Sequence, residues 1–106
     1  MTSPTVTIPF KDDFAKVLLD GTKCATTRTR KMGDKGDVFH VFGGEFKIIA
    51  TRRVKLGTVA EFYWKEEGAD SADGFKKIWE SIHPRRGYDP EQMVYLHWFL
   101  LTAREE

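Results

Sequence analysis

Polar and apolar residues alternate through "TVTIPF", residues 5–10, and a period of two predicts a short strand that Pro9 ends while leading into a helix. Phe10, Phe14, Val17 and Leu18 then recur at helical spacing, and Gly21 stands where a left-handed residue closes a last turn. Residues 22–30 read as extended. "KMGDKGD" is dense in turn formers, and "VFHVFGGEFKIIATRRV" reads as two strands joined in a hairpin at Gly43-Gly44. In "TVAEFYWKEEG" a helix is predicted from a capping box of Thr58 and Glu61, with Val59, Phe62 and Tyr63 on one face and Gly68 as its stop. A second helix is predicted from a Ser71 cap to His83, because Phe75, Ile78, Trp79 and Ile82 share a face and Pro84 bars continuation.

Asp89 to Gln92, "DPEQ", suits a capped helical turn. "MVYLHWFLL", residues 93–101, is short and rich in aromatic and β-branched residues, which predicts a final buried strand. The order β-α-β-β-β-α-α-β with short connections predicts an α+β fold. Its expected form is an antiparallel or mixed sheet curled into a small barrel, with peripheral helices.

Size and composition narrow this picture. A chain of 106 residues with 41 % hydrophobic residues predicts one domain, residues 1–106, with a modest core, and 13 % aromatic content predicts that the core is aromatic-rich. Cys24 is the single cysteine, so no internal disulfide forms and no spaced partner completes a metal motif. His40, His83 and His97 are not at ligand spacings either, and no metal or cofactor is expected. His97, within an apolar strand, reads as a hydrogen-bonded interior residue. No apolar run approaches the about 18 residues of a membrane helix, and the amino end has no signal-like pattern. The expectation is a soluble, cytoplasmic monomer.

The net charge of +1 conceals uneven placement. Lys23, Arg28, Arg30, Lys31 and Lys35 stand against Asp34 alone, and Lys47, Arg52, Arg53 and Lys55 follow. From Glu61 to Asp73, five acids face only Lys65. One basic face able to dock an anion, or an ordinary mixed surface, fits this pattern.

The densest chemistry lies in "GTKCATTRTRK", Gly21 to Lys31. On a strand over 24–30, Cys24, Thr26, Arg28 and Arg30 share one face, while Ala25, Thr27 and Thr29 share the other. Lys23, at the junction with the helix, is free of that alternation and can swing towards Thr26 and Arg28. An ammonium, a hydroxyl and a guanidinium together can hold phosphate or polarise a carbonyl. A threonine attacks only once its proton is removed, and a lysine does this when burial or neighbouring cations keep it neutral. From spacing alone, a solvated strand with threonines and surface cations is the simpler reading of the same residues. Glu66 or Glu67 can reach the barrel mouth as a proton donor. Among Tyr63, Trp64, Tyr95 and Trp98, Trp64 lies off the apolar face and is the candidate to stack a base, with Arg30 and Arg53 as further RNA-binding cations.

"GTKCATTRTR" resembles the G-x-K-x-x-T-x-R signature of the ASCH domain family, small β-barrel proteins akin to the PUA RNA-binding domain. "GDVFHV", "EEGADSADGFKKIWESIHP" and the terminal "MVYLHWFLL" extend the resemblance over nearly the whole chain. It implies a cleft for RNA or a modified nucleoside, and one of two activities: an amidohydrolase acting on N4-acetylcytidine, or a ribonuclease acting on single-stranded RNA. A non-catalytic RNA-binding module is the third reading. Carried onto this chain, the amidohydrolase roles are Lys23 as base, Thr26 as nucleophile and Glu67, or else Glu66, as acid, with Arg28 holding a phosphate or carbonyl oxygen. Gly74 and Ala69 depart from the family pattern, which has glutamate and an aromatic residue there.

Overall fold

Two strands of 12 residues, β3 (Gly44–Lys55) and β4 (Met93–Arg104), pair antiparallel along their whole length, from Gly44 opposite Arg104 to Lys55 opposite Met93. Register shifts at Glu45/Phe46 and Ile48/Ala50 mark irregularities of the kind that bend and twist a ladder. β1 (Ala25–Arg28) flanks β4, and β2 (Val38–Val41) flanks β3, so the sheet runs β1-β4-β3-β2 and every pair is antiparallel. The computed structural model describes residues 4–105.

β4, paired on both edges, is covered through its middle by two apolar clusters. Val94 and Leu96 join Val54, Ala25 and the residues of α2 (Leu56–Phe62) and α3 (Ala72–Ile82) in one core. Phe99 joins Phe39, Phe46, Ile48, Ile8 and Leu18 in a second, under the short helix α1 (Ala15–Leu19). Phe99 meets the rings of Phe39 and Phe46 edge-on at 5.2 and 5.5 Å, a favoured aromatic geometry. The product is the expected α+β architecture, an antiparallel sheet curled into a half-barrel with helices packed against it.

Several local expectations are corrected. "TVTIPF" forms no strand: Thr5 makes a single parallel bridge to Val38, with backbone bonds from Val6 N–H to Val38 O and from Val38 N–H to Pro4 O, each 2.8 Å. Pro9 has no N–H with which to extend such a ladder. The following helix is shorter than its apolar spacing suggests. A single 3-10 turn, Asp12–Phe14, precedes α1, and Phe10 lies outside both, stacked on Phe39.

The hairpin turn is Phe42-Gly43, one residue earlier than expected, with φ of +53° and +77°. Gly44 opens β3 instead, where a Cβ would come within 2.9 Å of the Phe46 ring. α2 starts at Leu56 and ends at Phe62, so neither the Thr58 cap nor the Gly68 stop applies. Its first amides have another acceptor: Leu56 and Gly57 N–H donate to the carbonyls of Gln92 and Pro90. Asp89 to Gln92 is that turn, closed by Gln92 N–H on Asp89 O. α3 follows its pattern, with Ser71 Oγ accepting from Gly74 N–H at 2.9 Å and His83 closing the helix before Pro84. β1 is shorter than residues 22–30, and β4 runs three residues past 101.

Candidate functional site

The site begins with a turn stapled to an edge strand. The carbonyl of Glu66 accepts both Cys24 N–H at 2.8 Å and Ala25 N–H at 3.0 Å, which pins residues 63–67 to the start of β1. Gly68 then turns the chain at φ +86°, and a Cβ there would sit 3.0 Å from the Lys23 Cβ. Glycine is needed twice over, for the left-handed angle and for the close approach.

This closure sets Glu67 against Lys23. The Lys23 ammonium donates to the Glu67 carbonyl at 2.9 Å and to its carboxylate Oε1 at 3.1 Å. Thr27 Oγ1 donates to the other carboxylate oxygen, Oε2, at 2.5 Å. All three residues are buried. One carboxylate thus holds an ammonium on one oxygen and a hydroxyl on the other, which offsets the cost of withdrawing it from water.

Thr26, on the opposite side of the strand, accepts a bond from Arg28 Nε at 3.2 Å. Arg28 Nη2 reaches the Pro9 carbonyl at 2.7 Å, and the guanidinium lies over the Phe10 ring at 4.8 Å. Burial pushes Arg28 below its usual value, with the Glu67 carboxylate pulling the other way. Beneath them His97, fully buried, accepts Met32 N–H on Nε2 at 3.0 Å, so its proton is on Nδ1, which donates to Thr26 O at 3.2 Å. Burial holds this histidine below its ordinary value, and the nearby Arg28 and Lys31 charges act in the same direction.

Apart from His97, which lies outside the lining, the side chains of these residues border one cavity of about 300 Å³. Lys23, Thr26, Thr27, Arg28 and Glu67 stand in its polar lining, together with Lys11, Thr29, Arg30 and His83. Phe10 and Phe14 line it from the amino-terminal segment, and Phe75 and Trp79 from α3. Trp79 stacks on His83 with centroids 4.0 Å apart, which fixes the plane of the indole.

No protein-family model matches the chain, and no match was found among curated proteins. Solved structures do match it in shape. The ASCH domain from Lactobacillus crispatus JV V101 superposes with a TM-score of 0.76 at 16 % identity, covering 94 % of this chain and 80 % of that one. The chain has an ASCH-domain fold. Protein EF3133 from Enterococcus faecalis V583 is similar over 99 % of this chain and 82 % of its own, at TM-score 0.66 and 13 % identity. The hypothetical protein PH0355 is similar at TM-score 0.65 and 13 % identity, over 88 % of this chain and 94 % of its own.

Within this ASCH fold, Lys23, Thr26, Arg28 and Glu67 stand around this cavity, with Arg30 exposed on the same lining. Three other candidates lie elsewhere. Trp64 is half-buried against the α2–α3 core and does not line the cavity, because the chain leaves the helix at Phe62, before Trp64. Arg53 projects to solvent from β3, paired with Tyr95 in register, and is likewise outside it. Glu66 contributes its carbonyl to the staple, and its side chain is absent from the lining.

Lys23 shares the cavity with Thr26 and Arg28, and among the described residues its ammonium makes no hydrogen bond to either. Its partner is the Glu67 carboxylate, and Arg28 is engaged by Pro9 and Thr26. Thr27 was missed as a site residue. The signal was present in the alternation, since Lys23, Ala25 and Thr27 are two residues apart and fall on a common side. Among the described residues no helix is long and apolar enough to cross a membrane.

Proposed function

We propose that this cavity binds a modified nucleoside and that its polar lining hydrolyses an amide on the base, as in removal of the acetyl group of N4-acetylcytidine. The observation that carries this reading is the solvent-shielded Lys23–Glu67 pair in the wall of a cavity of about 300 Å³. That volume is at the small end of pockets for organic ligands and too small for a folded nucleic-acid surface. Burying an ion pair is costly, and such cost is characteristic of places where charge serves chemistry. Phe75 and Trp79 offer apolar surface to the face of a base, while the hydroxyls and charges meet an exocyclic amide.

In this reading a β1 threonine hydroxyl attacks the acetyl carbonyl, Lys23 and Glu67 manage its proton and the proton of the departing amine, and Arg28 holds the carbonyl oxygen. The motif resemblance gives the attacking hydroxyl to Thr26, three residues after Lys23. Incubation of the purified protein with N4-acetylcytidine, followed by chromatography, tests the reading. Cytidine should accumulate, and Glu67→Gln should abolish it; no cytidine from the unaltered protein sinks the proposal.

A second reading, in which the nucleoside is presented within an RNA strand, is favoured by Lys11, Arg28 and Arg30 on the same lining. Affinity for a single-stranded oligonucleotide would then fall steeply with salt as counterions are released. Binding that ignores salt would restrict the ligand to the free nucleoside.

A further inference from the structure

Two adjacent threonines line the cavity, and they are not chemically equivalent. Thr26 Oγ1 accepts a bond from the Arg28 guanidinium at 3.2 Å, which draws electron density from the oxygen that would attack. Among the described residues no carboxylate takes its proton. Thr27 Oγ1 already donates to Glu67 Oε2 at 2.5 Å, and the Lys23 ammonium on Oε1 holds that carboxylate in place. A hydroxyl with a base in hydrogen-bond reach, and the base itself oriented by a third group, is the arrangement that activates a weak oxygen nucleophile.

From this geometry we infer that Thr27, and not its neighbour, is the nucleophile of the site. The assignment rests on the hydrolytic reading above and deepens it. Thr27 Oγ1 passes its proton to Glu67 Oε2 as it bonds to the acyl carbon. The carbon–nitrogen bond then breaks, and the leaving amine takes the proton from Glu67, leaving an acyl ester on Thr27. Water gives a proton to Glu67 and attacks the ester carbonyl. The carbon–Oγ1 bond breaks, Thr27 recovers its proton, and the carboxylic acid departs. The sum is one amide and one water converted to one amine and one acid. Thr26 keeps a separate place, tying Arg28 to the strand while its carbonyl holds His97.

The test is acid quenching of the unaltered protein during turnover of N4-acetylcytidine, then trypsin digestion and fragmentation of the peptide Cys24–Arg28, which holds both threonines. The acetyl group should be found on Thr27. Thr27→Val should lower kcat on the order of a thousandfold with substrate binding retained, and Thr27→Ser should restore most of the rate. Acetyl on Thr26, or a Thr27→Val protein that turns over like the original, overturns the assignment. Cytidine release with acetyl on Thr26 leaves the hydrolytic reading standing and removes only this step, whereas no cytidine at all removes both. The labelling arm uses the native sequence, so it decides the matter even if the valine variant does not fold.

Discussion

The Lys23 ammonium and the Glu67 carboxylate lie 3.1 Å apart with both side chains almost wholly shielded from water. Removing one partner of such a pair strands the other charge, at a cost of about 3–5 kcal/mol. Lys23→Ala should therefore lower the stability of the folded chain by roughly that amount, in addition to any effect on activity. Urea unfolding followed by tryptophan fluorescence reads it. A shift in midpoint worth less than about 1 kcal/mol would mean that water reaches the pair and that it is an ordinary surface contact.

Gly68 is the hinge that brings Glu67 to Lys23. Gly68→Ala places a side chain at φ +86° and within 3.0 Å of the Lys23 Cβ, and left-handed strain alone costs on the order of 1 kcal/mol. Since Lys23 is held by its own backbone bond to Val17 O, the turn must give way. The variant should lose stability and disturb the Lys23–Glu67 contact, and on the proposed hydrolytic reading cytidine release should fall further than stability alone accounts for. Unchanged turnover in a folded Gly68→Ala protein would show that the site tolerates a displaced carboxylate.

The elements with strong periodicity were legible before any coordinates. α3 lies between its caps Ser71 and His83 because the apolar spacing, the cap and Pro84 all agree. β4 was clear as a strand, although its burial is confined to the middle of the expected span and leaves Met93, Leu100 and Leu101 exposed, and the cavity's Lys23, Thr26, Arg28 and Glu67 were each visible as chemistry. What could not be read was decided by contacts distant in sequence. The start of α2 is set by the carbonyls of Pro90 and Gln92, more than thirty residues away, which replace the Thr58 cap. Glu67 is selected over Glu66 because the Glu66 carbonyl is used by Cys24 and Ala25, and two amides on one oxygen dictate which way the next side chain turns. The hairpin misled because two glycines suggested the turn, while Phe42 takes the left-handed angle and Gly44 is kept small for the Phe46 ring.

His97 gives the fold a dependence on acid. Its Nε2 must be unprotonated to accept Met32 N–H, and burial lowers its pKa from the ordinary 6.5. A group that binds its proton more weakly when folded contributes stability in full above its unfolded value, and that contribution is lost as pH falls through the native value. Stability should therefore be flat above about pH 6.5 with respect to this group and decline below it. His97→Gln should flatten that decline, and the protection of the Met32 amide relative to its intrinsic exchange rate should fall in acid in the original protein. A stability profile unaltered by His97→Gln between about pH 5 and pH 7 would remove the histidine from the account.

Arg28 does two things that a lysine cannot do at once. Its Nε reaches Thr26 Oγ1 and its Nη2 reaches the Pro9 carbonyl, while the planar guanidinium lies on Phe10. An ammonium is a point charge without a fork or a flat face, so Arg28→Lys keeps the charge and gives up the geometry. If Arg28 serves to anchor the segment carrying Phe10 and Phe14 against β1, the lysine variant should bind nucleoside roughly tenfold more weakly, a loss of about 1.4 kcal/mol. The salt dependence of binding should stay as it was, because the charge is unchanged. Isothermal titration at two ionic strengths separates the terms. Equal affinities for the arginine and lysine forms would show that charge alone matters, and would favour a phosphate over a neutral base as the group that meets this side chain.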